Sequence, residues 1–370
     1  MQNICNKGKD FCSGCAACAN VCAQQAIEMK PDWRGFAYPT IDKTRCIECG
    51  LCQKVCPVNA PRKSFVFDEA AVFIDQNRQA LVKASSGGAF GVMARHVLSQ
   101  GGVVFGCRMD DDYNVNMISV DKLEDLPKLH GSKYTQTKVG LIYRQIKDVL
   151  NTGRVALLCA CPCHIAGLKS FLRKDYANLI TMDLICHGVP SQTYFRDYVK
   201  DLLKSKANEG ITTFRFRHKA EDCCETHRTP AVYDGYHNRD YYMTYFLWGK
   251  GYRSSCYNCI YPGAERPGDF TIGDFWNNKN AKLPIDTSLG SSVIFFNTPK
   301  AKALRHVFQN GSTFVKLETF EQAMGPDGGQ MKHTCHNDVR TTLIYIVHKL
   351  FGVRGPKLLF KIDQLRMKKA

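Results

Sequence analysis

Cys12-Ser13-Gly14-Cys15-Ala16-Ala17-Cys18-Ala19-Asn20-Val21-Cys22 and Cys46-Ile47-Glu48-Cys49-Gly50-Leu51-Cys52-Gln53-Lys54-Val55-Cys56-Pro57 are the stretches that decide the reading of this 370-residue chain. Both have the form C-x2-C-x2-C-x3-C, and each cysteine of the second lies 34 positions after its counterpart. The segment is therefore an internal duplication. Three thiolates two residues apart converge on three irons across a tight turn, and the fourth iron is capped from the other half of the repeat. One [4Fe–4S] cluster then takes Cys12, Cys15, Cys18 and Cys56, and the other takes Cys46, Cys49, Cys52 and Cys22. The alternatives are zinc, which usually takes two separated pairs, and disulfides, which require an oxidising compartment.

The duplicated run resembles the bacterial two-cluster ferredoxins, so residues 1–60 are expected to form an α+β ferredoxin-like module. The rest of the chain is long enough for a substantial second core. Hydrophobic content of 44% and charged content of 23% are ordinary for a folded protein. The first residues hold no apolar stretch, and no run approaches the roughly 18 apolar residues that span a bilayer. With no export signal visible, the 19 cysteines read as metal and redox ligands in a reducing cytoplasm. The net charge of +16 suits nucleic acid, an anionic membrane or an acidic partner. No nucleic-acid-binding signature accompanies it. An acidic redox partner protein or an anionic cofactor is the expected complement, and a basic surface with no partner implied is the alternative.

Residues 61–80 read as a connector, most clearly over 61–68. Beyond it, helices are expected over 88–100, 139–150, 165–172 and 193–206, alternating with strands at 103–107, 155–159 and 179–185. This alternation predicts a larger α/β domain with a mostly parallel or mixed sheet. Residues 210–250, with Phe214-Arg215-Phe216-Arg217, read as strands and long loops. From Thr341 onward, Leu343, Ile344, Ile346, Val347, Leu350 and Phe351 stand opposite His348 and Lys349. That pattern is read as a helix packed on its own core with a solvated lysine face, and peripheral contact with an anionic membrane is the alternative.

Two strand ends carry cysteines, in Cys159-Ala160-Cys161-Pro162-Cys163-His164 and Cys186-His187-Gly188-Val189-Pro190-Ser191, and Cys256-Tyr257-Asn258-Cys259 supplies a C-x2-C pair. In α/β sheets ligands bind beyond the carboxyl ends of strands, so a four-thiolate site is feasible there. These segments, with Ser85-Ser86-Gly87-Gly88, Gly131-Ser132-Lys133-Tyr134 and Asp269-Phe270-Thr271-Ile272-Gly273-Asp274-Phe275-Trp276, resemble the coenzyme F420 hydrogenase/dehydrogenase beta-subunit family, in order, over roughly residues 80–300. The resemblance implies an N-terminal, flavin-binding part over 81–162 and a C-terminal part over 163–330, and the chain's own basic, amphipathic pattern is read as helices over 331–370. It implies FAD, in preference to FMN, beside a third [4Fe–4S] cluster held by Cys163, Cys186, Cys256 and Cys259. Ala160-Cys161 departs from the Gly-Thr common in the family, so Cys161 is either a competing ligand or a hydrogen-bonding neighbour.

Ser85, Ser86, Gly87 and Gly88 open a helix as a phosphate-binding turn would, and they form the candidate flavin site with Gly131, Ser132, Lys133 and Tyr134. His187 and Lys133 are the candidate catalytic residues. His164, Asp183, Asp269 and Asp274 are further candidates. For each histidine, a purely structural role satisfied by backbone carbonyls is the alternative. Cys5, Cys107, Cys159, Cys223, Cys224 and Cys335 have no assigned partner. The function expected is an iron–sulfur flavoprotein oxidoreductase passing electrons between clusters, flavin and a small organic or deazaflavin-type substrate. The alternative is an electron-relay subunit docked to a hydrogenase or dehydrogenase partner.

Overall fold

Val103–Met109, Ala156–Ala160, Leu179–Leu184 and Phe270–Asp274 are nearly unbroken apolar runs, the pattern of strands buried on both faces. In the computed structural model they lie side by side and parallel at the centre of an eight-stranded sheet. Its spatial order is Ser312–Leu317, Glu69–Asp75, Ser292–Phe296, Phe270–Asp274, Leu179–Leu184, Ala156–Ala160, Val103–Met109, Val115–Val120. The outer pairs are antiparallel, so the sheet is mixed. The structure describes residues 4–61, 63–67, 69–219, 232–281, 283–325, 328–332 and 336–367. Cys223, Cys224, Cys335, Lys368 and Lys369 lie outside them.

Side chains alternate between the sheet's two faces. Phe105 and Leu158 pack on one side with Ile146 and the helix Pro162–Leu172. Val104, Leu157, Ile180 and Met182 pack on the other with Met93 and Val97 of the helix Ala89–Ser99. The helices expected over 139–150 and 193–206 occur at Ile142–Asn151 and Gln192–Lys206. The helix expected to begin at residue 165 begins at Pro162, because proline at the first helical position has its φ preset and no N–H to satisfy. The stretch read as a connector contains the strand Glu69–Asp75, which pairs on both sides within the sheet.

The N-terminal module repeats its backbone as well as its cysteines. Gly14 and Glu48, and Ala16 and Gly50, are left-handed pairs 34 residues apart. Each opens the approach to a short helix, Ala17–Val21 or Leu51–Lys54. A hairpin of Ile27–Pro31 and Ala37–Ile41 lies between them. The module shares one core with the sheet domain, Ala16, Ala17 and Val55 packing with Ile165 and Leu168. Gly167 is a point of close approach: a Cβ there would stand 2.9 Å from Cys15 Cβ and 3.0 Å from its Sγ.

Two expectations are corrected. Among the described residues of 210–250 the strands are short, Thr213–Arg215 paired parallel with Val232–Asp234. The described residues that follow are helical, at Gly235–Asn238 and Tyr241–Leu247. The aromatic run Tyr241, Tyr242, Tyr245 and Phe246 is buried on nearly every side in an aromatic core, so it has no polar face to reveal a helical period. The C-terminal segment is a pair of helices, Val339–Phe351 and Arg354–Met367, broken at Gly352 with φ +56. Ile344, Tyr345 and Leu359 anchor them. Ile346, Leu350, Phe351, Leu358, Ile362 and Leu365 face outward beside the exposed Lys349, Arg354, Lys361 and Arg366, so the solvated surface carries apolar side chains as well as the expected cations.

Candidate functional site

Cys12, Cys15, Cys18 and Cys56 line one small pocket under the N-terminal module. Burial pushes the Cys15 thiol up to about 12 and the Cys18 thiol well above its ordinary value, with Cys12 and Cys56 adding to both. Binding of a metal cluster displaces the protons of such thiols. Cys5 lies beside Cys56 and is raised to about 11 by burial. In the second group, Cys52 is raised by burial and by its neighbours Cys49 and Cys46. Cys22 closes the helix Ala17–Val21, its sulfur accepting a hydrogen bond from Ala26 N at 3.3 Å. Among the described residues no three Cys, His, Asp or Glu side chains stand close enough to bind a single metal ion. A cubane takes one thiolate per iron and so spaces its ligands more widely than one ion does.

The strand ends converge as the sheet topology requires. Cys161 caps the helix Pro162–Leu172, and its thiol is hydrogen-bonded to Cys186. That bond is the main reason the Cys186 thiol falls to about 7 while Cys161 rises. Cys163 is raised by burial and then by Cys186, Cys259 and Cys256, with Cys15 also near. The four predicted cysteines of this group therefore face one another, and they stand beside the N-terminal module. Tyr261 lies between the two groups, its phenol raised by burial and then by Cys163, Cys15, Cys259 and Cys56.

This second group forms one wall of a cavity of about 660 Å³, within the range of cofactor sites. Ser85, Ser86, Gly88 and Gly131 to Tyr134 form another part of its lining. Ser85 Oγ accepts from Ser132 N at 2.7 Å, which ties the two predicted flavin segments together. Gly87 serves the fold: a Cβ there would meet Phe73 O at 2.1 Å, and its carbonyl accepts from Asp75 N. Gly88 has φ +88 and starts the helix Ala89–Ser99 with no side-chain cap. The first N–H groups of that helix thus lack intrahelical partners where Ala89, Phe90 and Gly91 line the cavity. Lys133 Nζ donates to the carbonyls of Leu129 and His130, and burial lowers its amine to about 8. His187 lines the cavity, with its imidazole lowered by burial.

Asp183 and Asp269 are saturated inside the fold. Asp183 accepts from Arg266, Gly268 N and Thr271 Oγ1, and Asp269 from Thr181 and Thr298. Asp274 faces the cavity, where both its oxygens bind Arg217 at 2.7 Å. His164 is buried with Nδ1 unpartnered and lowered to about 4 by burial.

Sequence reasoning missed several residues here. His130 has two ring nitrogens without partners, and burial followed by Lys133 and Arg95 lowers it to about 4. Arg95 pairs with Asp75 at 2.6 Å on the same wall. The guanidinium of Arg217 lies 5.1 Å from the Tyr236 ring and 5.4 Å from that of Trp276, which is half exposed. Arg217 was visible in the Phe-Arg alternation, whereas His130 and Arg95 carry no local pattern. The polar inventory fits a flavin: cationic and backbone N–H donors for phosphate at one end, and an aromatic and guanidinium mouth at the other.

Residues 11–60 match the family model of the 4Fe-4S dicluster domain, and residues 153–319 match that of the C terminus of the coenzyme F420 hydrogenase/dehydrogenase beta subunit. A ferredoxin of Alicyclobacillus acidocaldarius is 39% identical over 64 residues, 17% of this chain and 76% of the ferredoxin. An uncharacterised ferredoxin of Methanocaldococcus jannaschii is 40% identical over 52 residues, and the chain spans only 31% of its length. One chain of the F420-reducing [NiFe] hydrogenase complex of Methanosarcina barkeri aligns over 68% of this chain and 82% of its own, at 14% identity and a TM-score of 0.44. With its duplicated thiolate runs and strand-end cysteines, the chain is an iron–sulfur electron-transfer protein with an N-terminal 4Fe-4S dicluster domain and a larger domain that matches the C terminus of the coenzyme F420 hydrogenase/dehydrogenase beta subunit.

Proposed function

We propose that this protein is an iron–sulfur flavoprotein oxidoreductase that relays single electrons through its N-terminal module to an FAD serving a small organic or deazaflavin-type substrate. The observation that carries this reading is one continuous cavity, with the predicted flavin segments on one wall and Cys161, Cys163, Cys186, Cys256 and Cys259 on another. A bound flavin supplies the exchange between one-electron and two-electron chemistry. The chain's own residues then have distinct tasks. Cys163, Cys186, Cys256 and Cys259 hold a third [4Fe–4S] cluster, and Cys161 donates a hydrogen bond to the Cys186 sulfur, a contact of the kind that tunes such a centre. The uncapped N-terminus of the helix Ala89–Ser99, with His130 and Arg95, receives phosphate. Lys133 puts a cation under the cavity floor. A ring nitrogen of His187 exchanges a proton with substrate, a neutral imidazole being favoured by its burial.

Anaerobically prepared protein is expected to carry about twelve irons, three cubanes of four, and to release a flavin on denaturation. About eight irons and no flavin would leave only the electron-transfer module. The second reading, a relay subunit docked to a redox partner, is favoured by one observation. Ile346, Leu350 and Phe351, with Leu358, Ile362 and Leu365, expose apolar side chains along the C-terminal helix pair. Groups this extensive mark interaction surfaces. A chain that remains monomeric and turns over an acceptor alone rejects the relay reading. Among the described residues no helix is long and apolar enough to cross a membrane.

A further inference from the structure

We propose that Arg253 is the fixed counter-charge of the cluster held by Cys12, Cys15, Cys18 and Cys56, and that it raises this cluster's reduction potential above that of its partner in the N-terminal module. The inference rests on the ligand set proposed above, but it concerns a residue that no motif marks. Arg253 is completely buried. Its Nε donates to Cys12 O at 2.7 Å, one terminal nitrogen donates to Ala37 O at 3.0 Å and lies 3.9 Å from Cys12 Sγ, and the other has no partner. The guanidinium stands 4.0 Å from the Tyr38 ring centroid.

Among the described residues no carboxylate is in ion-pair range of Arg253. The neighbouring acid, Asp32, is already shared by Lys9 at 3.2 Å and Arg34 at 3.5 Å. Arg253 is therefore a buried cation with no paired carboxylate among the described residues, and a buried charge without compensation is strongly disfavoured. The negative charge within its reach is the thiolate group that Arg253 touches at Cys12. Its orphaned terminal nitrogen lies toward Gly14 of the same turn, where a Cβ would come within 3.1 Å of it.

The consequence is directional. When the cluster takes one electron from its partner cluster, the partner is oxidised by one electron, no bond breaks and no proton moves. The recipient gains one negative charge beside Arg253, which stabilises the reduced form. Cys256 lies three residues further on, in the single-turn helix Ser254–Tyr257 that Arg253 precedes, and also senses the Arg253 charge. Arg253 thus stands where the current leaves the module for the cavity.

The test is a redox titration of the anaerobically purified full chain, following the reduced-cluster electron paramagnetic resonance signals, with wild type beside R253K and R253M. In R253M the reduced-to-oxidised ratio of the Cys12 cluster at fixed potential is expected to fall at least tenfold, about 59 mV for one electron. The cluster held by Cys46, Cys49, Cys52 and Cys22 should not move, and R253K should stay near wild type. If R253M loses about four irons while R253K keeps them, the positive charge is needed to hold the cluster, which also supports the proposal. An unchanged potential in iron-replete R253M overturns it. So does a shift in R253K as large as that in R253M, or iron loss in both variants, since each makes the role one of shape. A wild-type chain without the eight irons of the module would instead overturn the ligand assignment itself.

Discussion

The two groups of cysteines that meet at the domain junction are built in opposite ways. Cys12, Cys15 and Cys18 come from a single turn and its short helix, and Cys56 arrives from the equivalent turn of the repeat, so the pocket they line is small. Cys163, Cys186, Cys256 and Cys259 come from two strand ends and a one-turn helix separated by long stretches of chain, and they open onto a cavity of about 660 Å³. A pocket that small leaves no room for a second molecule beside the thiolates. A wall at the carboxyl ends of parallel strands that opens onto a cavity leaves such room. On the function proposed above, the contrast would separate a conducting region from a reacting one.

Substitutions in each region probe this contrast, the largest effects first. C56S should remove one N-terminal cluster, lowering the iron content by about four per chain. C163S should produce a loss of the same size but leave both N-terminal resonance signals in place, and iron analysis with spectroscopy distinguishes the two. If C56S also abolishes the second N-terminal signal, the nests are not independent. R266M strikes the frame of the open region. Arg266 and Asp183 are almost wholly buried and 2.6 Å apart, and removing one partner of such a pair costs about 3–5 kcal/mol. Urea unfolding measures it, and a cost under about 1 kcal/mol would show that the pair does not hold the strand ends together. G87A places a methyl group against Phe73 O and the Ser292 backbone, an overpacking expected to cost about 1–3 kcal/mol, read as a drop in thermal midpoint. The smallest effect is that of S85A, which loses the bond to Ser132 N. It should cost about 1 kcal/mol and weaken flavin retention on dialysis without changing the iron count.

The N-terminal nest was legible in the sequence because its ligands are local: spacing and duplication lie within one short segment. Three strands of the sheet, Val103–Met109, Ala156–Ala160 and Leu179–Leu184, were legible as apolar runs, whereas the other five were not expected as strands. The open region was legible only where a cysteine marked a strand end. Arg253, His130 and Arg95 reach their places through tertiary contacts across long separations, which no window of sequence displays. The helix Tyr241–Leu247 was hidden because burial on all sides erased its period. The outward apolar stripe of the C-terminal helices was hidden for the opposite reason: an amphipathic pattern does not reveal which stripe faces the core, and Ile344 and Tyr345 took that place.

Gly167 has a consequence for speed. Electron tunnelling weakens exponentially with the gap between donor and acceptor, and at this position the helix Pro162–Leu172 presents bare backbone to Cys15. Any side chain here would press on Cys15. A residue with no side chain thereby lets the helix and Cys15 meet with nothing interposed.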